Sequence, residues 1–415
     1  MTAPLRSVRE VAPLVRGPWH HVGDPPDRKI HAAIARSLFF RAIATMPIRV
    51  HFPDGTVGGA GGDDAPVMLL HRPDAFYRRV GNDGLIGFGE SYMVGDWDAD
   101  DLAAMLEPFA ERLTKLVPAW MQRLRHLYVR HQPSVEENTL AGARQNIERH
   151  YDLSNDLFSL FLDDSMTYSS AWFMQGDTLE IAQARKVDRL LDAVGVALGT
   201  HLLEIGTGWG SLAISAARRG AKVTTLTLSS EQQALARQRA AAAGVGDRVD
   251  VQLRDYRDAE GQYDAVVSVE MIEAVGERYW PTYFAALDRL VTPHGRVGLQ
   301  AIVLDHSRMV ATRHQYTWIS KYIFPGGALP SMRAIDDCVR EHTNLRITER
   351  FHFGDHYART LHCWKERFDA HAEEVDAIGF DHRFRRMWDL YLAYCEAGFA
   401  TGYLDVAQLV LEPRH

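Results

Sequence analysis

The spacing of hydrophobic positions changes character along this chain. In residues 30–46, Ile30, Ile34, Leu38 and Ile43 recur at helical spacing, which predicts an amphipathic helix packing on that face. Ile48–Phe52 then alternates, Pro53-Asp54-Gly55 forms a turn, and Val67–His71 reads as a second short strand. Phe88–Trp97 is rich in glycine and reads as a loop-rich segment, with Asp98, Asp100 or Asp101 available to cap the next helix. Leu102–Arg130 is helical by pattern with a break at Pro118, and Gln132-Pro133-Ser134 marks a boundary. Residues 1–135 thus form a smaller α+β N-terminal domain, and residues 136–415 a second domain.

From about residue 177 helices and apolar strands alternate. Helices are predicted over Leu179–Val194, Ser211–Arg219, Ser230–Ala243 and Tyr279–Leu290. Strands are predicted over His201–Ile205, Lys222–Leu228, Val249–Leu253, Ala265–Val269 and Gly295–Ala301. Strands separated by helices of this length predict an α/β fold with a doubly wound, mostly parallel sheet.

Composition narrows the class. At 415 residues, 46% hydrophobic and 24% charged, the chain is globular rather than disordered, collagen-like or disulfide-stapled. Three cysteines without a CxxC point to a reducing cytoplasm. No apolar run approaches the roughly 18 residues needed to span a bilayer, and Met1–Arg16 lacks a signal-peptide core. The net charge of −8 speaks against nucleic acid, but it is unevenly spread. Residues 1–135 hold 16 Lys+Arg and 15 Asp+Glu, whereas the remaining 280 hold 30 and 39. Arg112, Lys115, Arg123, Arg125 and Arg130 fall in a stretch with no acid, interleaved with Leu113, Leu116, Trp120, Leu124 and Tyr128. That mixture suits a helix lying on anionic lipid; an interdomain helix would look the same. Nineteen histidines include no HExxH and no Cys/His quartet, so no metal site is expected.

Glu204-Ile-Gly206-Thr-Gly208-Trp-Gly210 sits where a strand hands over to a helix, the place where doubly wound sheets bind ligands. Glycine there lets the backbone approach a ligand and frees the helix N-terminus for it. The spacing is ExGxGxG rather than GxGxxG, and it resembles S-adenosylmethionine-dependent methyltransferases of class I type. The second strand ends without the usual ribose-binding acid, and Thr227 and Gln232 offer a hydroxyl and an amide instead. After the third strand, Asp255 offers a carboxylate to an exocyclic amine and Tyr256 a ring to adenine.

Further motifs resemble the cyclopropane-fatty-acyl-phospholipid synthase family. They are Asn146–Phe158, Asp164–Trp172 (with Tyr168, Ser169 and Ser170), Glu270-Met-Ile-Glu273-Ala-Val-Gly276, Lys321–Gly327 and His356–Leu361. Gly87–Trp97 resembles the extra N-terminal domain of the phospholipid-acting branch. The resemblance implies methyl transfer from S-adenosylmethionine, with Tyr168 and Ser169 among the cofactor residues, to the cis double bond of a phospholipid acyl chain. The reaction passes through a carbocation, which requires water to be excluded. The rings of Tyr316, Trp318, Tyr322 and Phe324 are candidates to line the pocket and stabilise that charge, although ring by ring ordinary core packing is the readier explanation.

In the family a bound bicarbonate is the base. Its ligand positions fall on Ser170 (family Cys), Glu273, Gln300 (family His) and Tyr357. Two of the four differ. The resemblance implies a cyclopropane product, with an exocyclic methylene that a partner reductase would saturate as the alternative. Glu270 reads as a capping or ion-pairing residue. The resemblance implies a cytoplasmic enzyme, peripheral on the inner face of the membrane. A homodimer and a non-catalytic lipid-binding subunit stay open.

Overall fold

The computed structural model describes residues 15–112, 142 and 154–414. The break at Pro118, the boundary near 135, the 146–153 part of the first motif, and Lys115, Arg123, Arg125 and Arg130 lie outside them.

The N-terminal part begins with α1 (Lys29–Ile43), followed by β1 (Arg49–His51), β2 (Val57–Gly58) and β3 (Val67–Leu70). Then come α2 (Pro73–Asp83), α3 (Leu85–Met93), β4 (Trp97–Ala99) and α4 (Leu102–Arg112). Its sheet has the order β2-β1-β3-β4, with only the β1–β3 pair parallel.

Two expectations are corrected here. In α1 the buried face is Ala35, Phe39 and Ile43, and Ile30 and Ile34 point outward. The aromatic ring of Phe39, which meets Phe76 edge-on at 5.0 Å, outcompetes the aliphatic stripe for the core. The glycine-rich segment 88–97 is helix α3 over much of its length, not loop. Gly87 and Gly89 serve close packing: a Cβ at Gly87 would lie 2.0 Å from the Arg79 carbonyl oxygen, and one at Gly89 2.5 Å from the Trp318 ring.

The larger part opens with α5 (Asn155–Phe161) and α6 (Leu179–Ala193). It continues through β5 (His201–Ile205), α7 (Ser211–Arg218), β6 (Lys222–Thr227), α8 (Ser230–Ala242), β7 (Val249–Leu253) and β8 (Tyr263–Val269). After α9 (Ile272–Val275) and α10 (Trp280–Leu290) comes β9 (Val291–Leu304). The helices α11 (His306–Thr312), α12 (Trp318–Tyr322) and α13 (Met332–His342) lead to β10 (Leu345–His352). The chain closes with α14 (Gly354–Ala370), α15 (Ala372–Ala377), α16 (His382–Ala400) and β11 (Leu404–Pro413).

These strands form one sheet in the order β10-β11-β9-β8-β5-β6-β7. All its pairs are parallel except the two made by β11, the single reversed strand. The doubly wound, mostly parallel sheet is therefore present, with β10 and β11 as unforeseen additions. Helix N-termini are capped as their sequences dictate: Thr178, Ser229 and Ser331 each accept a backbone N–H from the first turn. One hydrophobic core runs from Phe76 and Trp97 through Phe158 to Trp364 and Trp388, so the two parts share an interior.

Candidate active site

The chain leaves β5 through Gly206, Gly208 and Gly210, whose φ angles of 98°, 51° and 87° are left-handed conformations that favour glycine. A Cβ at Gly206 would stand 2.5 Å from Met271 Cγ. The turn therefore brings bare backbone to a cavity lined by Tyr168, Ser169, Glu204, Thr227, Gln232 and Glu270, and by Asp255 and Tyr256.

Glu204 is buried and accepts from Thr225 Oγ1 at 2.6 Å; burial pushes its carboxyl up to about 8. Thr227 Oγ1 donates to Gln232 Oε1 at 2.8 Å, which occupies the Gln232 amide oxygen and leaves its amide nitrogen as the donor. The Asp255 carboxylate is engaged by Arg257 at 2.6 Å, a partner not foreseen. Tyr256 meets Tyr283 edge-on at 5.4 Å, which fixes its ring.

Lys186 also lines the cavity and was missed. It is 1% exposed and donates to Ser169 Oγ at 2.5 Å, facing Glu270, Asp163 and Glu204. Burial pulls its ammonium down to about 8, and the three carboxylates oppose that. The signal was available: Gln183 and Lys186 occupy core-facing positions of α6 between Leu179 and Leu190. Two buried carboxylates, an amide and a glycine-rich turn fit the ammonium, sulfonium and ribose of S-adenosylmethionine.

The residues expected to hold an anion converge on Glu270 instead. Its Oε1 accepts from the Ser170 amide at 2.9 Å and from Gln300 Nε2 at 2.8 Å, and its Oε2 from the Tyr357 hydroxyl at 2.6 Å. Register explains the meeting, because Val269 pairs with Gln300 across β8 and β9, and Gln300 with Gln408 across β9 and β11. Gln408 Nε2 donates to Gln300 Oε1 at 3.0 Å, so the Gln300 amide nitrogen must face Glu270. Glu270 adopts φ 50°, a left-handed conformation that costs a non-glycine residue energy and marks a constrained site. Burial raises its pKa, while the three donors and Lys186 pull it back. Bicarbonate does not fit among these donors, since Glu270 already presents a carboxylate to them.

Glu273 lies apart from that cluster. Its Oε1 accepts from the Ile302 amide and its carbonyl from the Ala328 amide, which ties β9 to the turn after α12. Burial first, then the charge of Glu270, pushes it up to about 8. The Ser170 hydroxyl donates to the Ala171 carbonyl, so only the Ser170 backbone reaches Glu270.

The pocket rings are redistributed as well. Trp318 lies over Gly89 and donates to Met93 Sδ at 3.4 Å, and the Tyr322 hydroxyl donates to Glu90 at 2.8 Å. Both therefore serve the junction with α3. Tyr316 packs on the same core, and Phe324 meets Tyr391 edge-on at 5.8 Å. Beside Glu270, α14 and α16 supply an aromatic wall that Phe324 adjoins through Tyr391: Tyr357 stacks on Phe399 at 4.4 Å, and Tyr391 shares a 2.8 Å hydrogen bond with Tyr168. Of the basic stretch, Arg112 is described, at the end of α4 and 3.9 Å from Glu111. Among the described residues there is no cluster able to hold a metal ion and no helix long and apolar enough to cross a membrane.

This fold and cavity define a class I S-adenosylmethionine-dependent methyltransferase. Residues 139–409 match the family model described as mycolic acid cyclopropane synthetase, and the chain belongs to that family. It is 54% identical to tuberculostearic acid methyltransferase UfaA1 of Mycobacterium tuberculosis over 388 residues, covering 92% of this chain and 91% of that protein. It is 36% identical to the cyclopropane-fatty-acyl-phospholipid synthase of Escherichia coli, over 83% of this chain and 88% of that one. Mycolic acid cyclopropane synthase CmaA1, solved with SAH and CTAB, superposes with a TM-score of 0.60 at 29% identity, over 68% of this chain and 98% of the other.

Proposed function

We propose that this enzyme methylates the cis double bond of unsaturated phospholipid acyl chains, with Glu270 as the base, and that its product is an exocyclic methylene. Bound S-adenosylmethionine supplies an electrophilic methyl; the alkene's electron pair forms the new C–C bond, the S–CH3 pair returns to sulfur, and the neighbouring chain carbon is left positive. The rings of Tyr357, Phe399, Tyr391 and Tyr168 stabilise that charge without reacting with it and exclude water. Glu270 then takes a proton from the transferred methyl. If the proton leaves at once, the ring closes to a cyclopropane. If a hydride first moves from the methylated carbon to its cationic neighbour, the same proton loss gives the methylene. The hydride shift leads to the more substituted cation, which favours it over immediate ring closure. The name of the 54%-identical relative supports this product, for which a separate reductase would complete the methyl branch. Ring closure is the second reading, supported by the name of the E. coli relative.

The carrying observation is the convergence of Ser170, Gln300 and Tyr357 on Glu270. Residues 1–135 serve lipid docking in this reading, with the cationic stretch from Arg112 to Arg130 at the surface of the inner leaflet. The test incubates the protein with S-adenosylmethionine and oleoyl phospholipid vesicles and analyses the released fatty acids by mass spectrometry and proton NMR. Vinylidene protons support the methylene, and high-field ring protons support the cyclopropane. Glu270→Gln keeps the shape and should lower turnover by about 10²–10⁴-fold. Turnover within about threefold of wild type would exclude Glu270 as the base, because loss of a general base costs far more.

A further inference from the structure

Helix α1 presents to solvent the stripe that its sequence marks for burial. Ile30 is 77% exposed and Ile34 47%, with Ser37 and Arg41 exposed on the same line and Phe40 at its edge. The orientation is fixed rather than free to turn. Phe39 and Ile43 are locked in the core on the opposite side, and a Cβ at Gly81 of α2 would come within 2.5 Å of the His31 carbonyl oxygen. Phe40 is held by stacking on Phe52 of the adjoining hairpin at 5.4 Å. Lys29, His31, Arg36 and Arg41 flank the apolar stripe, all exposed, and the helix contains no acid. Contiguous exposed aliphatic residues mark an interaction site, and a cationic border selects an anionic, apolar-cored partner.

We propose that the outer face of α1 docks on the surface of a bilayer containing anionic phospholipid, with Ile30, Ile34 and Phe40 entering the headgroup boundary. This rests on the reading that the substrate is a bilayer lipid, and it assigns the docking to an element outside the Arg112–Arg130 stretch. From α1 the contact passes through α2 to α3, which carries the Glu90 and Gly89 contacts to α12.

The experiment measures binding without cofactor. Full-length protein is floated with vesicles of oleoyl phosphatidylcholine alone or mixed with phosphatidylglycerol, and turnover is measured separately on the same lipids dispersed in detergent. Ile30→Ser/Ile34→Ser should reduce vesicle binding by roughly tenfold or more while leaving detergent-phase turnover and unfolding temperature unchanged. Lys29→Glu/Arg41→Glu should abolish the preference for phosphatidylglycerol vesicles and the weakening of that binding by salt. Vesicle binding unchanged in both double variants would overturn the proposal. So would a shift from dimer to monomer in Ile30→Ser/Ile34→Ser on size exclusion, which would assign the face to a second copy. Absence of turnover in wild type with intact, variant-sensitive binding would sink the lipid-methylation reading while leaving the docking face standing.

Discussion

Glu90 ties the N-terminal part to α12, and its removal can be followed quantitatively. It is 8% exposed and accepts from both the Tyr322 hydroxyl and the Lys321 ammonium. Glu90→Leu keeps the bulk and removes the acceptor. Tyr322 is 7% exposed, so its stranded hydroxyl costs about 1–3 kcal/mol. Lys321 is 30% exposed and can turn to water, so its lost ion pair adds about 0–1 kcal/mol. Leucine burial offsets part of this, leaving a net loss of roughly 1–3 kcal/mol. Urea unfolding followed by tryptophan fluorescence should report it, because Trp318 packs at this junction. Since α12 runs into the turn whose Ala328 amide meets Glu273, KM for the lipid should rise more than kcat falls. An unchanged unfolding midpoint, or a fall in kcat with KM constant, would refute the idea that this junction supports the turn beside Glu273.

Two further outcomes concern charge inside the site. Lys186→Gln keeps a partner for Ser169 but removes the cation that helps hold Glu270 ionised, so the acid limb of the pH–rate profile should move to higher pH. An unmoved limb alongside a simple loss of stability would reduce Lys186 to a packing residue. Glu273, pushed up to about 8 from an ordinary 4.5, binds more protons folded than unfolded between those values. Stability should therefore fall as pH rises through that window, and Glu273→Gln should flatten the fall in unfolding experiments at stepped pH.

The sheet and its glycine turn were readable because period and spacing are local. His201–Ile205, Val249–Leu253 and the ExGxGxG turn needed no tertiary information. Residues 88–97 misled because glycine is read locally as a turn, whereas here it admits the Arg79 carbonyl and the Trp318 ring from elsewhere in the chain. α1 misled for a related reason, since two faces were apolar enough to be buried and only the partner helix could choose. At the site, Ser170, Gln300 and Tyr357 were identified individually, but their meeting point was not. That point depends on the register of β8, β9 and β11, which brings them to Glu270, whereas the sequence motif singles out Glu273. β11 itself carried no signal that would place it between two earlier strands.

That placement has a consequence for the order of assembly. β11 follows β9 and β10 in the chain, yet it lies between them and supplies Gln408, which orients Gln300 and also donates to the Lys186 carbonyl. Until it inserts, β9 and β10 have unpaired edges and the carboxylate site lacks the group that sets its amide. Such long-range closure is slow. A nascent chain can form its cofactor turn well before β11 is made, so the hydrogen-bond cluster around Glu270 is completed only after the glycine turn is in place.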